Sequence, residues 1–345
     1  MADKKNNFTL KKSVFSRSSL LVLLLAILII SFYLYKNPSY QFDLSKMIFP
    51  DRVVDTSVAV VPFPVGIDPV NKIISEQANL TEFLKNEVAS NHFPKHTSEN
   101  WWQKIQSQLV QWEWYQNLAS STGRIIVVQS GEKASQVTNN ISKVMGWDQS
   151  ERDIFQTVMA DNPLHFAEGV YYPGKYTVAK GASPIEVAAV IKTAFQENIV
   201  NRFPAELVEA LPLTEVLTFA SLLEREAYDF DDMRTISGII WNRQFIDMKL
   251  QLDATMQYAK AERDGLTNWP QPLPADKNID SPYNTYKYAG LPPGPIANPS
   301  IDAVIAALNP RETKCFFYFH DNRGNLYCNE TYAGHQADLK RVFPK

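Results

Sequence analysis

The chain has 345 residues, room for two domains or slightly more at ~150 residues each. Its 45% hydrophobic and 21% charged composition excludes a mainly disordered, collagen-like or polytopic membrane protein. A formal net charge of −3 excludes a general nucleic-acid binder, which needs excess Lys and Arg to neutralise phosphate, and two cysteines make neither a disulfide framework nor a four-thiolate zinc site.

The residues from Leu20 to Tyr35, LLVLLLAILIISFYLY, form an uncharged apolar run close to the ~17–20 residues that cross a hydrocarbon core. They predict a single transmembrane helix over 20–36 after a leader over 1–19. Lys4, Lys5, Lys11, Lys12 and Arg17 precede the run and only Lys36 follows at once. The positive-inside rule then places the N-terminus in the cytoplasm and the rest of the chain outside, anchored in the cytoplasmic (inner) membrane. A cleaved signal peptide would need small residues at its cleavage site, and aromatics dominate Phe32 to Tyr40 instead. Outside the membrane, without ATP or NAD, chemistry is usually hydrolytic or lytic.

From 37 to 120 the chain reads as a variable linker region with no legible function. His92 and His96 are spaced like a helical metal pair, but Pro94 lies between them and breaks the helix. Trp101, Ile105, Leu109 and Trp112 recur at helical spacing, which reads as buried packing before it reads as a sugar-stacking stripe.

A weak internal repeat follows, within 121–200. Val128-Gln129-Ser130-Gly131, then Val137 and Ile141, match Val178-Ala179-Lys180-Gly181, then Val187 and Ile191, at identical offsets. Each copy reads as strand, glycine turn and helix, and in the second Ser183-Pro184 supplies an N-cap with proline at the first helical position. Units of this spacing resemble the LysM-like modules found beside cell-wall enzymes.

The stretch PLTEVLTFASLLEREAY, 212–228, predicts a helix. At 100° per residue Leu213, Val216, Leu217, Ala220, Leu223 and Ala227 share one face, and Glu224 falls inside that apolar arc. Glu226 points to roughly the opposite side with Glu215, so the two glutamates of this turn are not a facing pair. A carboxyl group on a buried helical face loses hydration, which disfavours the anion and favours proton transfer. Glu224 is thus a candidate general acid; the alternative is a buried Glu paired with a nearby Arg, such as Arg243 on the next helix.

Between Trp269 and Pro299 the chain is dense in proline, with Tyr283, Tyr286 and Tyr288 interleaved. Proline lowers the entropy lost on ordering a loop, so the stretch suits a rigid wall along a sugar groove. Asn298-Pro299 reads as N-cap and first residue of a helix over 300–308. Cys315 and Cys328 bracket a hairpin turning near Asp321 to Gly324; this brings the pair within reach and leaves bridged and free thiols both open.

Several blocks together resemble the YceG-like family, the endolytic murein transglycosylases of the MltG type. They are Ala220-Ser221-Leu222-Leu223-Glu224-Arg225-Glu226-Ala227, Ile239-Ile240-Trp241-Asn242-Arg243, the run from Met248 to Tyr258, Ser281-Pro282-Tyr283-Asn284-Thr285-Tyr286, Gly290 to Ile296, Asn298-Pro299, and Thr331-Tyr332 with His335. The resemblance implies an α+β protein: one transmembrane helix, a LysM-like αβ module and a C-terminal catalytic domain over 201–345. It implies endolytic cleavage of nascent peptidoglycan to leave 1,6-anhydro-N-acetylmuramic acid ends, with Glu224 as the single acid and base and with no metal or cofactor. Gln251 and Asn284 are candidates to hydrogen-bond sugar groups, Asp253 to orient a partner or stabilise positive charge at C1, and Tyr283 and Tyr286 to line the groove. Arg243 would bridge two helices or tune Glu224, and His335 would serve as a core or capping residue. The expected partners are glycan strands and the membrane, with peptidoglycan synthases a further candidate and no nucleic acid. Two other readings are a hydrolytic muramidase with Asp253 or Asp280 as second carboxylate, and a non-catalytic peptidoglycan-binding scaffold.

Overall fold

The structure is a computed structural model that describes residues 61–77, 80–84 and 123–344. The expected leader and transmembrane helix, His92 and His96, and the tryptophan stripe at 101–112 lie outside the described residues. The described residues all belong to the second of two units into which the chain divides, Arg52–Lys345, and no helix among them is long and apolar enough to cross a membrane. The unit is α+β, with helices around three two-stranded antiparallel sheets among the described residues.

A short hairpin, β1 (Ile67–Asp68) and β2 (Ile73–Ile74), precedes the repeat region. The two repeat copies then close on each other. The first contributes β3 (Gly123–Val128) and α1 (Ala134–Met145), and the second β4 (Gly174–Ala179) and α3 (Pro184–Asn198), with α2 (Gln149–Ala160) between them. β3 and β4 pair antiparallel from Gly123↔Ala179 to Val128↔Gly174. The copies therefore complete one sheet instead of standing as two units, because a lone strand leaves its backbone groups unpaired. Ser183 caps α3 as expected, its hydroxyl accepting from Glu186 N at 3.3 Å, with Pro184 in the first turn.

The second half is built around α4 (Leu213–Glu226), which packs against α5 (Phe230–Phe245), α6 (Asp253–Asp264) and α7 (Ile301–Leu308). Pro212 stands at its N-cap. Every residue from Val216 to Glu224 is buried, so the apolar arc seen at helical spacing understates the burial: neighbours cover this helix on several sides. α5 passes so close to the chain after α7 that a Cβ on Gly238 would lie 2.1 Å from Arg311 O; only glycine fits there. β5 (Phe317–His320) and β6 (Leu326–Asn329) form the expected hairpin, with Asp321 Oδ1 accepting from Arg323 N and Asn325 N across its turn. Cys315 and Cys328 are joined in a disulfide. α8 (Tyr332–Val342) packs on this hairpin, and His335 lies among Phe317, Phe319 and Tyr332, in the packing role expected of it.

Candidate active site

Glu224 is 4% exposed, at the last turn of α4. Its Oε2 accepts two hydrogen bonds from Ser300, one from the backbone N–H at 2.9 Å and one from the hydroxyl at 2.6 Å. Ser300 is also the N-cap of α7, its Oγ accepting from Ala303 N at 3.2 Å. The carboxyl group is thereby oriented at the N-terminus of α7. This corrects the expectation for Asn298-Pro299: the cap lies two residues later, and Asn298 has another task. Its Oδ1 accepts from Tyr171 N, and its Nδ2 and backbone N–H both donate to Glu132 O. Asn298 O accepts from Gly131 N at 2.8 Å, so this buried residue fastens the first glycine turn to the helical half.

That turn reaches Glu224 itself. A Cβ built on Gly131 would sit 3.7 Å from Glu224 Cγ and 3.6 Å from Arg225 Nη1, and Gly131 has φ +75°, a conformation that costs an ordinary residue about 1–2 kcal/mol. Trp269 Nε1–H donates to Gly131 O at 3.2 Å. Lys133, wholly buried, donates to Leu266 O at 2.5 Å and faces Glu262 at 3.8 Å. Trp269 is half-buried against the turn, a strap across the two halves of the unit.

The proline-rich stretch is pinned to α4 one turn before Glu224, where Ile296 N donates to Ser221 Oγ at 3.0 Å. Its Tyr-Asn-Thr-Tyr segment is braced on the start of α6: Leu252 N donates to Thr285 Oγ1, the hydroxyls of Thr255 and Thr285 lie 2.8 Å apart, and Gln251 N donates to Thr285 O. Asn284, at 0% exposure, spends its amide on Lys277 O and Ile279 O and its Oδ1 on Tyr286 N; it holds the loop from inside and is not at a groove surface. Gln251 is exposed, with φ +50°. Tyr286 OH donates to Asp253 Oδ1 at 2.6 Å, so two expected site residues meet. Tyr283 instead packs on Tyr258, with ring centroids 4.7 Å apart. Asp280, the other candidate second carboxylate, is tied to Lys287 Nζ at 2.7 Å and Tyr288 OH at 2.6 Å.

Glu226 turns away from Glu224's partners, as its position on the helix requires. Its Oε1 accepts from Ala254 N at 3.3 Å and its Oε2 from Tyr318 OH at 2.9 Å, linking α4 to α6 and to the hairpin. Burial raises its pKa, against the lowering effect of those hydrogen bonds. Arg243 does not pair with Glu224 or bridge to α4: Nε donates to Phe316 O at 2.7 Å and Nη1 to Leu250 O, because its position on α5 faces the strand and the 250 loop. Ser300, Gly131, Thr255 and Thr285 were not named as site residues from sequence. The Ser-x-x-Ala start of an apolar helix signals a cap at Ser300, yet nothing local signals its contact with Glu224.

A YceG-like protein from Listeria monocytogenes of known structure aligns with a TM-score of 0.55 at 21% identity, over 80% of this chain and 97% of that one, so the two share a fold. An endolytic murein transglycosylase of Streptococcus pneumoniae is 31% identical over 175 residues, 50% of this chain and 31% of that protein. One from Bacillus subtilis is 32% identical over 195 residues, 54% of this chain and 52% of that protein. The chain thus spans about half or less of the length of these curated relatives. The YceG-like family matches residues 88–341, a span that contains Glu224, Ser300, the glycine turn and both braced loops, and the chain belongs to that family.

Proposed function

We propose that this protein is an endolytic peptidoglycan lytic transglycosylase with Glu224 as its single acid and base. The observation that carries the reading is a buried carboxyl group, oriented by both donors of Ser300, at the position where the family block Ala220 to Ala227 places its acid. Its curated relatives bear the name endolytic murein transglycosylase, which supports the same activity here.

A lytic cleavage needs one carboxyl group, not two. Protonated Glu224 gives its proton to the glycosidic oxygen between N-acetylmuramic acid and N-acetylglucosamine as the C1–O bond breaks. The C6 hydroxyl of the muramyl sugar then attacks C1, and the Glu224 carboxylate takes the hydroxyl proton. The products are a 1,6-anhydromuramyl end and a free 4-hydroxyl on the leaving sugar; water is not consumed and Glu224 returns to its starting state. A hydrolase would need a second carboxyl group poised to activate water or attack C1. Asp280 is engaged in an exposed ion pair and Asp253 by Tyr286, which argues against that role. Asp253 and Tyr286, brought together at the start of α6, are the residues that contact the sugar, with Gln251 beside them. The β-α-α-β order of 123–179 supports a LysM-like, glycan-holding role for the repeat region, and the run at 20–36 anchors the chain in the cytoplasmic membrane with the catalytic half outside.

The test is mass spectrometry of products from uncrosslinked glycan strands treated with the full chain in detergent and with Glu224→Gln. Internal cuts yielding muramyl ends lighter by one water than reducing ends, with the rate down about 10³-fold in the variant, are expected. Reducing ends would mean a hydrolase, and strands bound but uncut would mean a scaffold.

A further inference from the structure

The residue after Glu224 has no part in the proton transfers above. The guanidinium carbon of Arg225 lies 4.1 Å from the centroid of the Trp269 ring, and that ring is itself fixed through its N–H to Gly131 O. The turn approaches from the side of Nη1, 3.6 Å from a Cβ at Gly131. The group is therefore held in place over the ring, one position from the acid. Among the described residues it makes no hydrogen bond and no ion pair, and its Nε is buried without an acceptor. Arg243, buried where Arg225 is half-buried, spends its donors on Phe316 O and Leu250 O. Burial lowers the pKa of Arg225, and the charges of Glu224 and Glu226 offset this only through space. Buried donors such as this Nε are almost always satisfied in native proteins, and partial burial of a cation without a hydrogen-bonded counter-ion carries a cost. A planar guanidinium pre-oriented by stacking has a natural complement in a carboxylate, which takes two of its N–H groups at once.

We propose that Arg225 is a substrate-recognition residue whose guanidinium takes a carboxylate of the muramyl unit that Glu224 cleaves. This rests on the lytic reading of Glu224. Two parts of that unit carry the group: the stem peptide, and the lactyl side chain once the stem has been removed.

The experiment measures kcat and KM of the full-length protein, Arg225→Gln and Arg225→Lys on four substrates: strands with stems, strands stripped by an amidase, and both after all carboxylates are converted to neutral amides. The expected result is about a tenfold rise in KM for the unaltered protein on amidated strands with kcat little changed, a loss already present in Arg225→Gln on charged strands and not deepened there by amidation. Arg225→Lys should recover part of the discrimination, since it restores charge without the fork. A loss confined to strands with stems assigns the stem carboxylate, and one confined to stripped strands the lactyl group; either supports the proposal. Equal KM for charged and amidated strands in the unaltered protein overturns it, even if a variant fails to fold, and so does undiminished discrimination by Arg225→Gln. A protein that cuts amidated and charged strands alike leaves the lytic reading standing, whereas one that cuts none overturns both.

Discussion

The two glycine turns of the repeat share a sequence pattern and little else. Val128 to Gly131 and Val178 to Gly181 both end a strand and lead into a helix, and their strands pair in one ladder. Gly131 sits at φ +75° against Glu224 and Arg225, whereas a Cβ on Gly181 would meet nothing within 4 Å. The helices that follow are started differently too. α3 is capped by its own exposed Ser183 and Glu186, and hydrogen bonds from Ser183 hold the Glu186 pKa down. At the start of α1, Ala134 N donates to the buried Glu168, from outside the repeat copy, at 2.7 Å, and burial pushes the pKa of Glu168 up to about 8 and that of Glu132 up to about 7. A turn that is self-contained in one copy has become, in the other, a joint with the helical half that carries Glu224.

The largest effect expected from that difference is on stability against pH. The carboxyl groups of Glu132 and Glu168 have folded pKa values above their ordinary value of 4.5, so each favours the folded state fully below about pH 4.5. That contribution fades as pH rises through about 7 and about 8, up to a few kcal/mol in all. Thermal melts should therefore fall between about pH 5 and about pH 9, and Glu168→Gln should flatten the upper part of the slope. A slope unchanged by that substitution would mean that the buried carboxyl is not what distinguishes this turn.

Substituting the glycines sharpens the comparison directly. Gly131→Ala should cost about 1–2 kcal/mol by denaturant unfolding, from its left-handed backbone, and should slow strand cleavage by about tenfold as the turn shifts against Glu224. Trp269→Phe keeps a ring over Arg225 but removes the donor to Gly131 O, for about 1 kcal/mol or less, and cleavage should suffer more than stability. Gly181→Ala should fall within about 0.5 kcal/mol of zero, with cleavage unaffected. Equal losses at the two glycines would show that the turns serve the fold alike and that proximity to Glu224 carries no functional weight.

Much of this was legible along the chain. The helical spacing from Leu213 to Ala227 placed Glu224 among apolar residues, and it is buried. The strands, the α3 cap and the hairpin of β5 and β6 also lie where propensity and turn residues put them, because each is decided by contacts within a few residues. The same periodicity separated Glu224 from Glu226, and the two do take different partners, Ser300 for one and Tyr318 with Ala254 N for the other.

What the chain does not spell out locally is which surfaces meet. Ser300 lies 76 positions from Glu224 and Trp269 lies 138 from Gly131, and no spacing rule reaches that far. Asn298, Asn284 and Arg243 read as a cap, a sugar ligand and a helix bridge or tuner of Glu224; packing turned all three into internal fasteners, because once their elements are buried, orphaned backbone groups nearby must be satisfied and these side chains are within reach. The sequence by itself determined the elements, the hairpin that brings the cysteines together and the apolar setting of Glu224, since hydrophobic period and local capping are properties of neighbours. Only the tertiary structure decided that one of two equivalent glycine turns would close over Glu224 and that Trp269 would lie over Arg225, because that depends on how two halves of a unit dock, and docking is settled by complementary surfaces that no short stretch of chain contains.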